Sequence, residues 1–173
     1  MRYVDGWRSS LDAATALEPG GMSVDFYVAV PAAHWPTAAA IQRCMADNAY
    51  PVQITRFPAL DDKQVVTDGV LATIDGKDAY VEGELATASL MPASVEDIND
   101  RLAPSAVTER IKTSDVLMSV RVHSASEMRA ASYVISGLII CFDGFGFEPQ
   151  GGTYGRADFA KSLISGVDAL KEP

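Results

Sequence analysis

The sequence predicts an α+β fold: a mainly antiparallel sheet with helices packed on one face. Three observations predict it. Apolar residues make up 48% of the 173-residue chain, which suits one packed domain rather than a disordered chain. Segments that alternate apolar and polar residues, as half-buried strands do, are interleaved with segments of helical period. Asp75-Gly76 separates two such alternating runs. Asp-Gly in that setting signals a tight hairpin, because both central residues of the turn take positive φ.

The elements follow in order. Residues 1–21 read as an N-terminal appendage. Ser9 or Ser10 caps a short helix through Leu17, which Glu18-Pro-Gly-Gly ends. Residues 22–173 read as a single α+β domain. Val24 to Val30 is rich in β-branched and aromatic residues, and Pro31 closes it. Pro36 suits the first turn of a helix, where its missing N–H costs nothing. Ala38, Ile41, Cys44 and Met45 then recur at helical spacing. Asn48 can take a left-handed stop, and Pro51 blocks continuation. Val52 to Phe57 is the returning strand.

Val65 to Ile74 and Ala79 to Leu85 form the hairpin. Ala79, Val81, Gly83 and Leu85 share one face, while Tyr80, Glu82, Glu84 and Ala86 share the other. Ser94 with Asp97 reads as a capping box opening a short helix to Leu102. Asp115 to His123 alternates again, with Val116, Met118, Val120 and Val122 on one side. Ser124 with Glu127 is a second capping box, and Met128, Ala131, Val134, Ile135 and Leu138 give that helix its buried stripe. Phe145 to Glu148 is a short closing strand. The last helix runs from about Ala157 to Leu170, with Phe159, Leu163, Val167 and Leu170 on one side. Two β–α–β units, starting near Asp25 and Asp115, suggest a pseudo-repeat by pattern alone.

Composition narrows the function classes. Lys plus Arg is 14 against 23 Asp plus Glu, a formal net charge of −9. Phosphate contacts supply much of the affinity of nucleic-acid binders, so no nucleic-acid partner is expected. The same sign of charge disfavours an anionic membrane, and no membrane span is expected from the apolar runs. No signal-peptide apolar region opens the chain, so the expected location is cytoplasmic. Cys44 and Cys141 both sit in apolar helical contexts, where a buried free thiol is the default, with a disulfide left open.

The two histidines, His34 and His123, stand far apart, and neither His-Glu-x-x-His nor Cys-x-x-Cys occurs. No metal and no cofactor are therefore expected. No Gly-x-Ser-x-Gly elbow is present, so serine catalysis finds no support. Glu82 and Glu84 share one strand face, which alternation explains as a solvated surface. Gly146 and Gly151 are spaced as in a phosphate-binding loop, but Gly152 stands where that motif needs its lysine. Free N–H groups before the last helix, with Arg156, could hold an anion. The competing reading is a turn that needs the freedom of glycine.

The segment from Phe142 to Gly152, in which an alanine-rich helix gives way to a glycine and then an aromatic–acid–Pro–Gln–Gly turn, resembles a loosely defined family of bacterial proteins without an assigned reaction. Residues 36–52 resemble its first helix and second strand, and residues 69–82 its central hairpin. The resemblance spans roughly residues 24–155. It departs at the acid of the turn, Glu148 in place of the more usual aspartate. By analogy it implies a small acidic immunity or accessory protein. Two functions follow. The first is a non-enzymatic protein-interaction module that turns an acidic surface to a protein partner of basic charge. The second is a small-ligand binder or enzyme built on the 148–156 loop. The binding residues expected across both are Glu148, Gln150, Tyr154, Arg156, Glu82 and Glu84; no catalytic residue is expected.

Overall fold

A computed structural model describes residues 23–102 and 110–170. The expected N-terminal appendage and its helix lie outside the described residues. Eleven main elements follow one another: β1 (Val24–Pro31), α1 (Ala38–Asp47), β2 (Val52–Arg56), β3 (Val70–Ile74), β4 (Lys77–Thr87), α2 (Pro92–Leu102), β5 (Asp115–Val122), α3 (Ala125–Phe142), β6 (Phe145–Glu148), β7 (Thr153–Gly155) and α4 (Ala157–Asp168). The seven strands form one sheet in the order β2-β3-β4-β5-β1-β6-β7, with every neighbouring pair antiparallel. The fold is α+β.

Local chemistry explains the boundaries. Asp75 and Gly76 have φ of 52° and 74°, so the β3–β4 connection is the two-residue turn that Asp-Gly announces. Ser124 Oγ accepts a hydrogen bond from Glu127 N–H at 3.2 Å and caps α3. The Glu127 carboxylate accepts from His123 N–H, one residue before the cap itself. Three sequence expectations shift by a residue or two. Thr37, not Pro36, opens α1: its side chain accepts from Ala40 N–H. The left-handed residue after α1 is Ala49 at φ 54°, while Asn48 instead spends its side-chain amide on the Cys44 carbonyl at 2.9 Å. α2 begins at Pro92, before the expected Ser94 cap, because proline suits the first helical position and needs no N–H partner there.

The inner face of the sheet carries Phe26, Val28 and Val30 of β1, Val116, Met118, Val120 and Val122 of β5, and Val81 and Leu85 of β4. α1, α3 and α4 cover it. α3 lies in the middle of that layer and is buried almost all round from Met128 to Ile139, with Ile135 and Leu138 among its most enclosed side chains. Burying each such side chain contributes about 1.5–3 kcal/mol. α3 is also the one described helix long and apolar enough to cross a membrane, and 67% of it is buried inside the fold. Buried polar groups on this helix are mostly paired: Arg129 reaches Asp75, and Tyr133 donates to Asp168 at 2.7 Å.

Three helices therefore share one face, and α2 takes the other. Ile98 and Leu102 of α2 pack with Ala29, Ala86, Leu117, Phe145 and Phe147 on the outer face. Ala86 is small and apolar on an otherwise polar side of β4, which is what lets α2 seat there. The two β–α–β units are not equivalent. Both return parallel strands, but β1–α1–β2 crosses to the far edge of the sheet, whereas β5–α3–β6 steps over β1 alone. The expected free thiols are also corrected: Cys44 on α1 and Cys141 on α3 form a disulfide, with Cα atoms 6.3 Å apart. Helical period locates each cysteine; only the crossing of two helices brings them together.

Candidate functional site

α2 covers only part of the outer face, and the rest forms an open groove. Asp25 and Tyr27 of β1, Ser119 and Arg121 of β5, and Glu82 and Glu84 of β4 form its floor, with Met91 and Ser94 at the α2 wall. The volume is about 360 Å³. Alternation puts these residues here: each stands between residues buried on the inner face, such as Phe26, Val120 and Val81. Gly83 faces inward between the two glutamates. A side chain there would strike the Ser119 carbonyl, so glycine allows β4 and β5 to pair closely under the groove.

Strand register organises the groove into rows. One row reads Glu84, Ser119, Tyr27, Phe147 and Tyr154, across β4, β5, β1, β6 and β7. The next reads Glu82, Arg121 and Asp25. Arg121 Nε donates to Asp25 at 2.8 Å, and Glu82 lies 3.4 Å from His123 Nε2. That hydrogen bond and the Asp25 charge push the Arg121 pKa up, so the guanidinium is held as a cation. Burial, then the carboxylates of Asp25 and Asp97, push the Tyr27 phenol up, keeping it neutral. Glu84 is exposed, and its carboxylate makes no hydrogen bond or ion pair among the described residues. The groove can thus attract a cation at Glu84, offer the neutral Tyr27 ring across Ser119 in the same row, and hold Arg121 fixed by its own partner.

The 148–156 loop behaves differently. Glu148 is completely buried. One of its oxygens accepts from Gly151 N–H at 2.7 Å and from the Thr153 hydroxyl at 3.4 Å. With the Gln150 amide turned to face its partners, the nitrogen donates to the other Glu148 oxygen at 2.7 Å and to the Asp25 carbonyl at 3.2 Å. Its oxygen accepts from Asp25 N–H at 3.1 Å. Gln150 therefore extends the pairing of β1 by one side chain. Arg101 of α2 ties the same turn down by donating to the Pro149 carbonyl at 3.2 Å. Arg156 donates to the carbonyls of Asp143 and Gly144, at 2.9 and 3.3 Å, and lies over the Phe145 ring. A cation at the carboxyl end of α3 complements the helix dipole, so Arg156 closes that helix. None of the four main concavities among the described residues is lined by residues 148–156.

The six sequence-derived residues thus separate into groups. Glu82, Glu84 and Tyr154 lie on the outer face, the first two in the groove itself. Gln150 sits at its margin, bonded to Asp25. Glu148 and Arg156 bond into the turn and the end of α3. Asp25, Tyr27, Ser119 and Arg121 complete the groove and were not anticipated. Their signal was present, since each alternates with a buried neighbour, but only the strand order places them beside Glu82 and Glu84. Comparison with protein-family models, with curated proteins and with solved structures found no match for this chain.

Proposed function

We propose that this chain is a non-enzymatic protein-interaction module whose outer-face groove receives a basic segment of a partner protein. The observation that carries the reading is Glu84: an exposed carboxylate, without an ionic partner among the described residues, in a groove whose other exposed acid is Glu82. A net charge of −9 adds long-range attraction for a cationic partner. An immunity or accessory role suits such a face. The second candidate, the 148–156 loop, is the weaker one, because its polar side chains are engaged within the fold.

The test uses short peptides of alternating lysine or arginine with glycine, and a glutamate peptide as control, in titration calorimetry. Saturable one-to-one binding of the basic peptides is expected, weakening as salt shortens the Debye length from about 10 Å at 0.1 M to about 3 Å at 1 M. Glu82→Gln with Glu84→Gln should abolish it. Equal binding by the double variant, or by the glutamate peptide, overturns the proposal.

A further inference from the structure

The Cys44–Cys141 disulfide joins two sulfurs with different surroundings. Cys44 is buried, at 4% exposure, between α1 and α3. Cys141 is exposed at the carboxyl end of α3. It lines a second groove of about 570 Å³, walled by His34, Trp35, Pro36, Ile140 and Phe142. An incoming thiol can therefore reach one sulfur of the bond and not the other.

The buried side is equipped for a thiol as well as for a disulfide. Cys44 Sγ lies 3.5 Å from the Gly137 carbonyl, an acceptor that a disulfide sulfur cannot use and an S–H can. Asn48 Nδ2 lies 3.7 Å from Cys44 Sγ and 3.5 Å from Cys141 Sγ. Its bond to the Cys44 carbonyl at 2.9 Å holds it there. An amide N–H aimed at both sulfurs stabilises negative charge on whichever one leaves.

We infer that Cys141 is a thiol-exchange site: an external monothiol of the glutathione type forms a mixed disulfide there, and Cys44 is the leaving group. In the first step the external thiolate attacks Cys141 Sγ. A new S–S bond forms, the Cys44–Cys141 bond breaks, and its electron pair goes to Cys44 Sγ. Cys44 takes up a proton from solvent, and its S–H faces the Gly137 carbonyl. A second thiolate then attacks the glutathione sulfur of the mixed disulfide and releases Cys141. Two external thiols are oxidised to one disulfide, and the protein disulfide is reduced to two thiols. The covalent link between α1 and α3 is lost, while the packing between them remains.

The experiment incubates the folded full chain with excess reduced glutathione, quenches with acid at intervals, and maps adducts by mass spectrometry. The expected result is a reduction rate proportional to glutathione concentration, with the first adduct on Cys141. Asn48→Ala should slow the first step by about 3- to 10-fold, the range for loss of one hydrogen bond. A rate that does not depend on glutathione concentration means the bond is reached only through unfolding, and overturns the proposal. So does a first adduct on Cys44. An unchanged or faster rate in Asn48→Ala overturns the part assigned to the amide. Adduct position and thiol dependence are unaffected by a merely structural role for Asn48.

Discussion

Removing the side chains of Glu148 and Gln150 together separates a structural turn from a binding loop. Glu148→Ala takes the carboxylate from Gly151 N–H and from the Thr153 hydroxyl. Gly151 is exposed, so water can replace the lost acceptor there. Thr153 is buried, at 3% exposure, so its hydroxyl stays unsatisfied. Leaving a buried polar group unpaired costs about 1–3 kcal/mol. Relief of the desolvated carboxylate offsets part of that cost. Gln150→Ala strips two bonds from the backbone of Asp25, which solvent at this margin largely restores, for about 0.5–1 kcal/mol. The two side chains share one hydrogen bond, so their effects are less than additive. The double variant should lose about 1–3 kcal/mol. Urea denaturation measures it, with an unchanged slope showing that the same surface is exposed on unfolding. A loss below about 0.5 kcal/mol, the scatter of ordinary surface substitutions, would refute the reasoning. Unchanged stability with loss of basic-peptide binding would move the site to this loop.

Two further outcomes follow from particular residues. Gly76→Val should cost about 1–2 kcal/mol, purely by forcing a β-branched residue to φ 74°, since nothing lies within 4 Å of the added Cβ; a denaturation midpoint equal to that of the unsubstituted chain would refute the turn assignment. Burial, and then the hydrogen bond to Asp168, push the Tyr133 phenol up to about 12 from an ordinary value of 10.0. Its raised folded pKa gives a stability contribution fully present below about pH 10 and lost as pH rises from there toward about 12. Tyr133→Phe should therefore lose less stability than the unsubstituted chain between about pH 10 and about pH 12 in urea melts, and identical losses would refute the assignment.

Short-range chemistry made much of the fold legible in the sequence. The alternation in β4 and β5 fixed which side chains share a face, because a strand's period is two. Asp75-Gly76 fixed the hairpin through the φ values that its turn demands. Ser124 fixed the start of α3, because a helix start needs a side-chain acceptor. The Cys44–Cys141 disulfide and the sheet face that α2 covers were not legible on that scale. Nor was the location of α2's first residue, where Pro92 at the first position overrode a plausible Ser94 cap.

The sequence by itself determined periods, turns and caps, all of which act over a few residues. Only the tertiary structure decided how those pieces meet. It placed Glu84 and Tyr154, seventy positions apart in the chain, on one row of the sheet by stacking β4, β5, β1, β6 and β7 in that order. It turned Glu148 from a candidate binding residue into a buried acceptor, because the β6–β7 turn folds its own amides onto that carboxylate. It joined Cys44 to Cys141 by crossing two helices whose cysteines are 97 residues apart. Each of these depends on contacts between distant segments, which no local pattern encodes and which are settled by how the sheet and its covering helices bury their apolar faces together.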